Sequence, residues 1–454
     1  MSTLMVSVSG IRGIIGSGLE PEILVKYTSA FADFCGKGKI VVGRDGRITG
    51  DMVKNIVFGT LMAKGIDVID IGITPTPTVL FNVLKHKALG GISLSASHNP
   101  NEWNALKLIN SEGEFMTIEQ NRQMLSLVSE KPINYVKWDE LGKLVFDENG
   151  LKDHLNAVFN LNFLNLDKIK KRNFKVLLDC VNGAGSYVMP ELLKKFGCEV
   201  IEMNCEKTGI FPRLAEPLPE NLTETMKAVV ENNADLGIVV DPDVDRLVLI
   251  TEKGEPFSEE YTIAQAVKFI LDKEKGDVVV NLSTTRAVDD IVIQNSCNIY
   301  KSPVGEANVV KKMKDVNAII GGEGSGGVIY PKLVFGRDAL TGTAITLQHL
   351  LEFGGTLSEL KASLPNYTIA KRKIELNNLN PDNVLKKLVE VYKNEKINIE
   401  DGLRIDFQEY WVHFRKSNTE PILRCIVEAK SEEIANEKIN FHFNEIEELS
   451  RLTE

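Results

Sequence analysis

Gly90-Gly91-Ile92-Ser93-Leu94-Ser95-Ala96-Ser97-His98-Asn99-Pro100 is the stretch on which the reading of this chain turns. An apolar, β-leaning run ends in Ser-His-Asn-Pro, which predicts a strand that delivers a serine hydroxyl into a turn. In open α/β sheets, ligands meet the protein just outside the carboxyl ends of the strands. Ser97 is therefore a candidate covalent group, one that would carry a phosphoryl. The same residues also read as a plain polar turn before a short strand containing Leu106 and Leu108, because Asn-Pro marks turns of every kind. The flanking sequence has to decide.

Outward from this stretch the chain alternates between two patterns. Lys39 to Gly43 and Ile66 to Ile71 read as strands, each preceded by a helical pattern, and Glu130 to Gly150 reads as a connection. A second set starts at Phe174 to Asp179, turns through Asn182-Gly183-Ala184-Gly185 into a helix, and continues through Glu199 to Met203 and Leu236 to Val240. A third runs from Asp277 to Leu282 and includes Asn317 to Ile320. This βα rhythm predicts largely parallel sheets covered by helices. From about residue 370 the rhythm changes to strands in sequence (Leu403 to Phe407, Trp411 to Phe414, Ile422 to Val427) and then a charged helix, Glu432 to Leu449, which predicts a smaller α+β domain.

In each α/β set one apolar strand ends in an unusual loop. The three loops are Ser97-His98-Asn99-Pro100, Asp241-Pro242-Asp243-Val244-Asp245-Arg246 and Gly321-Gly322-Glu323-Gly324-Ser325-Gly326-Gly327. Their unequal spacing makes only a weak repeat, but three equivalent loops would converge on one cleft. Asp241, Asp243 and Asp245 would repel one another unless a cation lies between them, and hard oxygen ligands beside phosphate suit Mg²⁺. A calcium EF-hand fails, because Arg246 stands at the obligatory glycine and Leu247 to Ile250 is a strand. A haloacid-dehalogenase-type Asp-x-Asp and a solvated acidic turn stay open on these residues alone.

Arg12 and Arg44 lie in glycine-flanked segments read as turns, where the guanidinium fork suits phosphate, although either also fits a plain surface arginine. Lys107 reads as a strand lysine or a proton-transfer group. Arg415-Lys416-Ser417-Asn418-Thr419-Glu420-Pro421, with Arg424 close behind, has the composition of a phosphate-anchoring loop or of a hairpin turn. His86, His154, His349, His413 and His442 show no ligand spacing and are read as structural.

Composition sets outer bounds. The chain has 454 residues, with room for three or four domains. Its 43% hydrophobic and 26% charged residues describe a globular protein with ample core. A net charge of −10 argues against non-specific nucleic-acid binding but leaves room for a local phosphate site. Six cysteines without Cys-x-x-Cys spacing predict reduced thiols. With no basic leader and no long apolar span, no membrane segment and a cytoplasmic location are expected.

Ser-Gly-Ile-Arg-Gly, Ala-Ser-His-Asn-Pro, Asp-x-Asp-x-Asp-Arg, Gly-Glu-x-Ser-Gly and Arg-x-Ser-Asn-Thr-Glu-Pro occur in this order between Ser9 and Arg424. The series resembles the α-D-phosphohexomutases: phosphoglucomutases, phosphomannomutases and phosphoglucosamine mutases. The resemblance implies three similar mixed α/β domains (1–150, 151–255, 256–368) around a central cleft and a TATA-box-binding-protein-like α+β domain (369–454). It implies Ser97 as phosphoserine, and one Mg²⁺ per chain held by Asp241, Asp243, Asp245 and a phosphoserine oxygen. Arg246 becomes an electrostatic partner. Arg12, His98 and Lys107 fall around the transferring phosphoryl, with Lys107 as acid and base. Glu323 and Ser325 match sugar-hydroxyl contacts, and Arg415, Ser417, Asn418 and Thr419 match the grip on the non-reacting phosphate, with Arg424 beside them. The expected reaction interconverts hexose 6-phosphate and hexose 1-phosphate through a bisphosphate that turns around in the cleft, with hexose 1,6-bisphosphate as activator. Monomer and homodimer both remain open.

The resemblance leaves the sugar divided. Val304-Gly305-Glu306 stands where glucose/mannose enzymes carry Val-Gly-His, and Glu306 would face a sugar ammonium. Gly327 replaces a frequent histidine, and Ala105 a usual glycine. Asn418 points the other way, since glucosamine mutases commonly have glycine there. The balance favours a phosphoglucosamine mutase over a dual glucose/mannose enzyme. A phosphatase with the same metal site and a sugar-phosphate-binding protein without mutase activity are the rivals.

Overall fold

The computed structural model describes residues 2–8, 10–128, 133–375, 380–416 and 422–451, without the side chains of 449–451. Four sheets follow one another along the chain. The first holds β1 (Met5–Ser7), β2 (Gly10–Ile14), β3 (Lys39–Arg44), β4 (Asp67–Ile73), β5 (Gly90–Leu94), β6 (Trp103–Ile109) and β7 (Leu144–Phe146), in the order β1-β2-β6-β5-β3-β4-β7. The second holds β8 (Lys175–Asp179), β9 (Glu199–Met203), β10 (Leu236–Val240) and β11 (Leu247–Thr251), in the order β11-β10-β8-β9. The third repeats that order with β12 (Val278–Asn281), β13 (Ile299–Ser302), β14 (Ile320–Glu323) and β15 (Gly327–Ile329).

A single motif underlies all three. The second strand pairs parallel to the first, the third pairs parallel on the other side, and the fourth returns antiparallel, as in β3-β4-β5-β6, β8-β9-β10-β11 and β12-β13-β14-β15. The sheets are thus mixed rather than largely parallel. The antiparallel return is short and was partly invisible to a helix-strand rhythm, because it needs no crossover helix. Every residue of β5 and of β10 is buried, as expected for apolar strands covered on both faces. Arg12 lies in strand β2, paired with β6, rather than in a turn.

The fourth sheet is antiparallel, with β16 (Thr368–Glu375), β17 (Lys396–Asn398), β18 (Leu403–Asp406), β19 (Tyr410–Lys416) and β20 (Ile422–Ala429) in the order β16-β20-β19-β18-β17. Alternate residues Leu423, Cys425, Val427, Val412 and Phe414 bury against helices Pro381–Val391 and Glu432–Arg451. The opposite face turns towards the third unit. Arg404 donates to Leu282 O and stacks on Trp411 at 4.3 Å. The Glu428 carboxylate accepts from Trp411 Nε1 at 2.6 Å and from the Arg286 amide, at a helix start, at 2.8 Å. These buried polar contacts fasten the last unit to the third. All six cysteines are free thiols. Among the described residues no helix is long and apolar enough to cross a membrane.

Candidate active site

The three loops occupy the same slot, between the third and fourth strands of each repeat, and they meet. Ser97 Oγ donates to Asp241 Oδ2 at 2.9 Å and lies 3.4 Å from His98 Nδ1. Leu247 N donates to Gly326 O at 2.9 Å, stitching the second loop to the third. Arg12, Ser97, His98, Lys107, Arg246, Glu306, Glu323, Ser325, Arg337, Arg415 and Arg424 line one cleft of about 1610 Å³ drawn from all four units.

Ser97 is held in a strained conformation. Its φ is 51°, in the left-handed region that costs a non-glycine residue about 1–3 kcal/mol. Its amide donates to Ser95 Oγ at 2.9 Å, and Ser95 in turn donates to Asp45. Arg47, fully buried, grips the loop from beneath. Its guanidinium donates to the carbonyls of Ser97, Asn99, Pro100 and Trp103 and pairs with Asp45 Oδ2 at 2.9 Å. Motif reading singled out Arg44, which instead pairs with Asp51 at 2.8 Å near the surface. Only the buried Asp45-x-Arg47 pair could have signalled the difference. Arg12 reaches the loop from β2, donating to Asn99 Oδ1 at 2.6 Å.

The aspartate loop has a left-handed residue of its own, Val244 at φ 60°. The amides of Asp245 and Arg246 both donate to Asp241 Oδ1 at 3.1 Å, so the loop closes on its first carboxylate. Asp243 accepts from Thr76 Oγ1 and from Lys107 Nζ, the latter at 2.6 Å. Oxygens of all three carboxylates lie within 4.8 Å of one another. Asp243 Oδ1 and Asp245 Oδ1 are buried and without a hydrogen-bond partner. Orphaned anionic oxygens facing one another in a buried pocket call for a small hard cation, so the residues present fit a divalent metal.

Electrostatics agree. Burial, then Asp245 and Asp243, push Asp241 well above the carboxylate range. Burial would raise Asp243 too, but Lys107 and Thr76 hold it below its ordinary value. Burial opposes the charge on Lys107, yet Asp243 and Asp245 outweigh it, and the group is a firm ammonium. Burial, then Arg246 and Arg12, push His98 down to about 2, so its imidazole is neutral.

In the third loop, Glu323 Oε1 accepts from Asn281 Nδ2 and from the Gly305 amide, both at 2.9 Å. Glu306, the residue expected to face a sugar ammonium, lines the cleft with its carboxylate already paired. Arg337 donates to it from Nε at 2.9 Å and from its amide at 3.1 Å. Burial pushes Glu306 up to about 7. Arg337 carries no motif and was missed.

In the last unit Arg415 donates to Asp401 at 2.9 Å. Arg415 and Arg424 stand directly opposite across β19 and β20, and Lys373 opposes Arg424 across β16. Like charges in one cross-strand row are unfavourable unless an anion lies over them. Ser417, Asn418 and Thr419 lie outside the described residues.

A buried hydroxyl bonded into a carboxylate trio, ringed by guanidinium groups and faced by a cationic sheet, is equipped for metal-assisted phosphoryl transfer. Comparison with known proteins agrees. Phosphoglucomutase/phosphomannomutase alpha/beta/alpha domains I, II and III match residues 4–132, 152–254 and 258–367, and the C-terminal domain of the same family matches residues 373–439. A probable phosphoglucosamine mutase of Methanopyrus kandleri is 35% identical over 435 residues, 94% of each chain. A phosphoglucomutase/phosphomannomutase of Thermococcus kodakarensis is 36% identical over 448 residues, 97% of each. A crystal structure of a phosphoglucomutase/phosphomannomutase family protein from Burkholderia thailandensis shares the fold, with a TM-score of 0.85 at 23% identity over 98% of both chains. The chain belongs to the phosphoglucomutase/phosphomannomutase family and is a phosphohexomutase, an isomerase that moves a phosphoryl group within its substrate.

Proposed function

We propose that Ser97 is the phosphoryl carrier of a hexose-phosphate mutase whose preferred substrate is glucosamine phosphate. One observation carries the first half of this reading. Ser97 Oγ is hydrogen-bonded at 2.9 Å into a carboxylate trio that has orphaned oxygens. Asp241, Asp243 and Asp245 would hold Mg²⁺ with an oxygen of the Ser97 phosphoryl. Bound there, the cation would supply positive charge where the transferring phosphoryl gathers negative charge.

This chain's own residues do the rest. Arg415 and Arg424, with Ser417, Asn418 and Thr419, anchor the phosphate that is not reacting, which brings the free O1 or O6 of the sugar towards Ser97. The bond from phosphorus to Ser97 Oγ breaks as the bond to the sugar oxygen forms, and the hydroxyl proton leaves to a neighbouring base. The hexose 1,6-bisphosphate then turns over on the same anchor. Its other phosphoryl returns to Ser97, and the vacated sugar oxygen takes a proton. Lys107 Nζ, buried in the cleft wall, is positioned to carry that proton: as an ammonium it donates to the vacated sugar oxygen, and it accepts from a hydroxyl only once it has itself given up a proton. Neutral His98 bonds Ser97 without competing for the phosphoryl as a cation, while Arg12 and Arg246 spread the equatorial charge. Glu323 and Ser325 accept from the sugar hydroxyls. A hexose 1,6-bisphosphate is the expected activator, since it recharges an unphosphorylated serine.

Glu306 and Glu323 support the aminosugar. Glu306, Glu323 and Asp245 share the single Arg337 guanidinium, and Glu306, pushed up to about 7 by burial, would gain charge as a sugar ammonium approached it. The similarity to the Thermococcus kodakarensis phosphoglucomutase/phosphomannomutase favours a second reading, dual glucose and mannose specificity. Isomerisation of glucosamine 6-phosphate, glucose 1-phosphate and mannose 1-phosphate is to be measured side by side. A much higher kcat/KM on a neutral sugar overturns the aminosugar preference. Intact-mass and peptide mapping after hexose 1,6-bisphosphate should find one added phosphate, on Ser97. Phosphate on another residue, or stoichiometric release of inorganic phosphate, defeats the mutase assignment of Ser97.

A further inference from the structure

We propose that Arg337 is the positioning residue of the sugar subsite, and that position 327 is glycine in order to admit it. Arg337 follows β15, immediately before Asp338 at the start of helix Ala339–Phe353. Its fork is divided among three carboxylates from two units of the fold. Nη2 donates to Asp245 Oδ2 at 2.7 Å, Nη1 to Glu323 Oε2 at 3.1 Å and Nε to Glu306 Oε2 at 2.9 Å. No other side chain among the described residues bonds both an aspartate of the trio and the sugar-facing Glu323.

What this does to Glu323 follows from the donors it meets. One oxygen is fixed by Asn281 and the Gly305 amide, the other by Arg337, so the carboxylate cannot rotate away from the cleft. Oε1 is filled by its two donors, and Oε2, with Arg337 as its one donor, retains a lone pair for a ligand hydroxyl. Without the Arg337 side chain, Glu323 keeps its hold at Oε1 alone, and Glu306 keeps only the backbone amide of residue 337. Two buried carboxylates would then face each other with no cation between them and reorient.

Gly327 belongs to the same device. A Cβ built there would sit 2.2 Å from Arg337 Cδ and 2.8 Å from Cγ, inside the radius at which carbon atoms can coexist. A side chain at 327 and the observed Arg337 rotamer are therefore mutually exclusive. The absence of a side chain from the sugar loop is made good by an arginine entering from the next connection.

This inference rests on the reading of Glu323 as a sugar-hydroxyl contact, and the experiment separates the two. For wild type, Arg337→Ala, Arg337→Lys, Gly327→Ala and the double variant Gly327→Ala/Arg337→Ala, kcat/KM is measured on the preferred hexose phosphate and on its 3-deoxy and 4-deoxy analogues, alongside thermal melting. Wild type should reject at least one deoxy analogue by about tenfold or more. In Arg337→Ala that discrimination should fall to within about threefold of unity, a change that a general loss of packing would not produce, since it lowers all three substrates together. Gly327→Ala should reproduce the effect by displacing the arginine, and the double variant should be no worse than either single one, because the steric conflict is gone. Should Arg337→Ala melt below the assay temperature, Arg337→Lys, which keeps the charge but reaches one carboxylate at a time, should still lose at least half of the discrimination on a logarithmic scale. If wild type does not discriminate, the reading of Glu323 falls and takes this inference with it. If wild type discriminates and the Arg337 variants do so equally, or if the effects of the two substitutions multiply, the inference alone is overturned.

Discussion

Replacing Arg47 separates what holds the first unit together from what aims Ser97. The guanidinium is fully buried, is paired with buried Asp45, lies 4.8 Å from the Phe211 ring centre and donates to four loop carbonyls. In Arg47→Met the Asp45 carboxylate is left with only Ser95 Oγ and a backbone amide, and removing one partner of a buried pair costs about 3–5 kcal/mol. The carbonyls lose charge-assisted bonds, each contributing about 1.5–3 kcal/mol. That comfortably exceeds the strain of about 1–3 kcal/mol at the left-handed Ser97, so the grip is what keeps the strained geometry populated. Once it is released, φ should relax and Oγ should swing away from Asp241. A misplacement of about 1 Å is enough for a 10²-fold loss. The discriminating variant is Asp45→Asn/Arg47→Met, which removes both charges. It should recover only the share of stability lost through the unpaired Asp45 carboxylate, since replacing a buried pair by neutral groups is often close to neutral. It should not recover the rate, because the loop carbonyls still lack their donors. Thermal unfolding reads the first quantity, and quenched-flow intact mass of Ser97 phosphorylation by hexose 1,6-bisphosphate reads the second. Wild-type phosphorylation in Arg47→Met, or rate and stability recovering together in the double variant, would refute the reasoning.

Further outcomes follow from other parts of the cleft. Glu260 is buried against Gly324 and pushed up to about 8 by its burial, against the pull of Lys371 and with Glu259 and Glu428 adding to the rise. A carboxyl raised in the folded state contributes stability that is complete below its ordinary 4.5 and lost as pH climbs through about 8. Glu260→Gln should therefore flatten the decline of the melting temperature across that window, and an unchanged slope would count against the assignment. Arg415→Ala and Arg424→Ala should each raise KM by about tenfold or more with a smaller change in kcat, since an anchoring phosphate is held alike in ground and transition states; steady-state kinetics decide. Chelation should abolish turnover and lower the melting temperature at neutral pH, because the carboxylate trio then keeps just the side chains of Lys107, Arg337 and, at 3.9 Å, Arg246 as counter-charges among the described residues. Titrating Mg²⁺ back should restore both together.

Loop chemistry made the centre legible in the sequence. Ser97, the three aspartates and Glu323 each sit where an apolar strand runs into polar or glycine-rich residues, and that boundary survives folding because strand burial fixes it. The strands Glu199–Met203 and Leu236–Val240 could be read to the residue for the same reason. Edge elements such as β1, β7 and β17 were not legible, being three residues long and defined by their neighbours rather than by their own pattern. Arg47 and Arg337 escaped for a deeper reason. An arginine is assumed to be solvated until its carboxylates are placed around it, and Asp245, Glu306 and Glu323 lie 92, 31 and 14 residues from Arg337. Only tertiary structure brings them into one ion-pair network.

The repeat explains why one cleft can divide the labour of phosphoryl transfer. Three units with the same strand order each expose one turn at the same place, so their packing brings three turns together whatever those turns contain. The Ser97 hydroxyl, the three aspartates and Glu323 are then separate fillings of one geometric slot, tied to one another through the Ser97–Asp241 and Leu247–Gly326 bonds. The last unit has a different topology and no such slot. It is fixed to the third through Arg286, Glu428 and Arg404, and through Asp401, which accepts from Arg415 and from the Val304 amide of the third unit, while Lys373 and Arg424 continue the same cross-strand row. Like charges standing opposite one another in that row are unfavourable, and an anion over Arg424 and Lys373 would offset the repulsion that Asp401 relieves at Arg415. Arg415, Arg424 and Ser97 line one cleft, and on the proposed reading a hexose carrying a phosphate at one end and then the other is held by the same cations in either orientation.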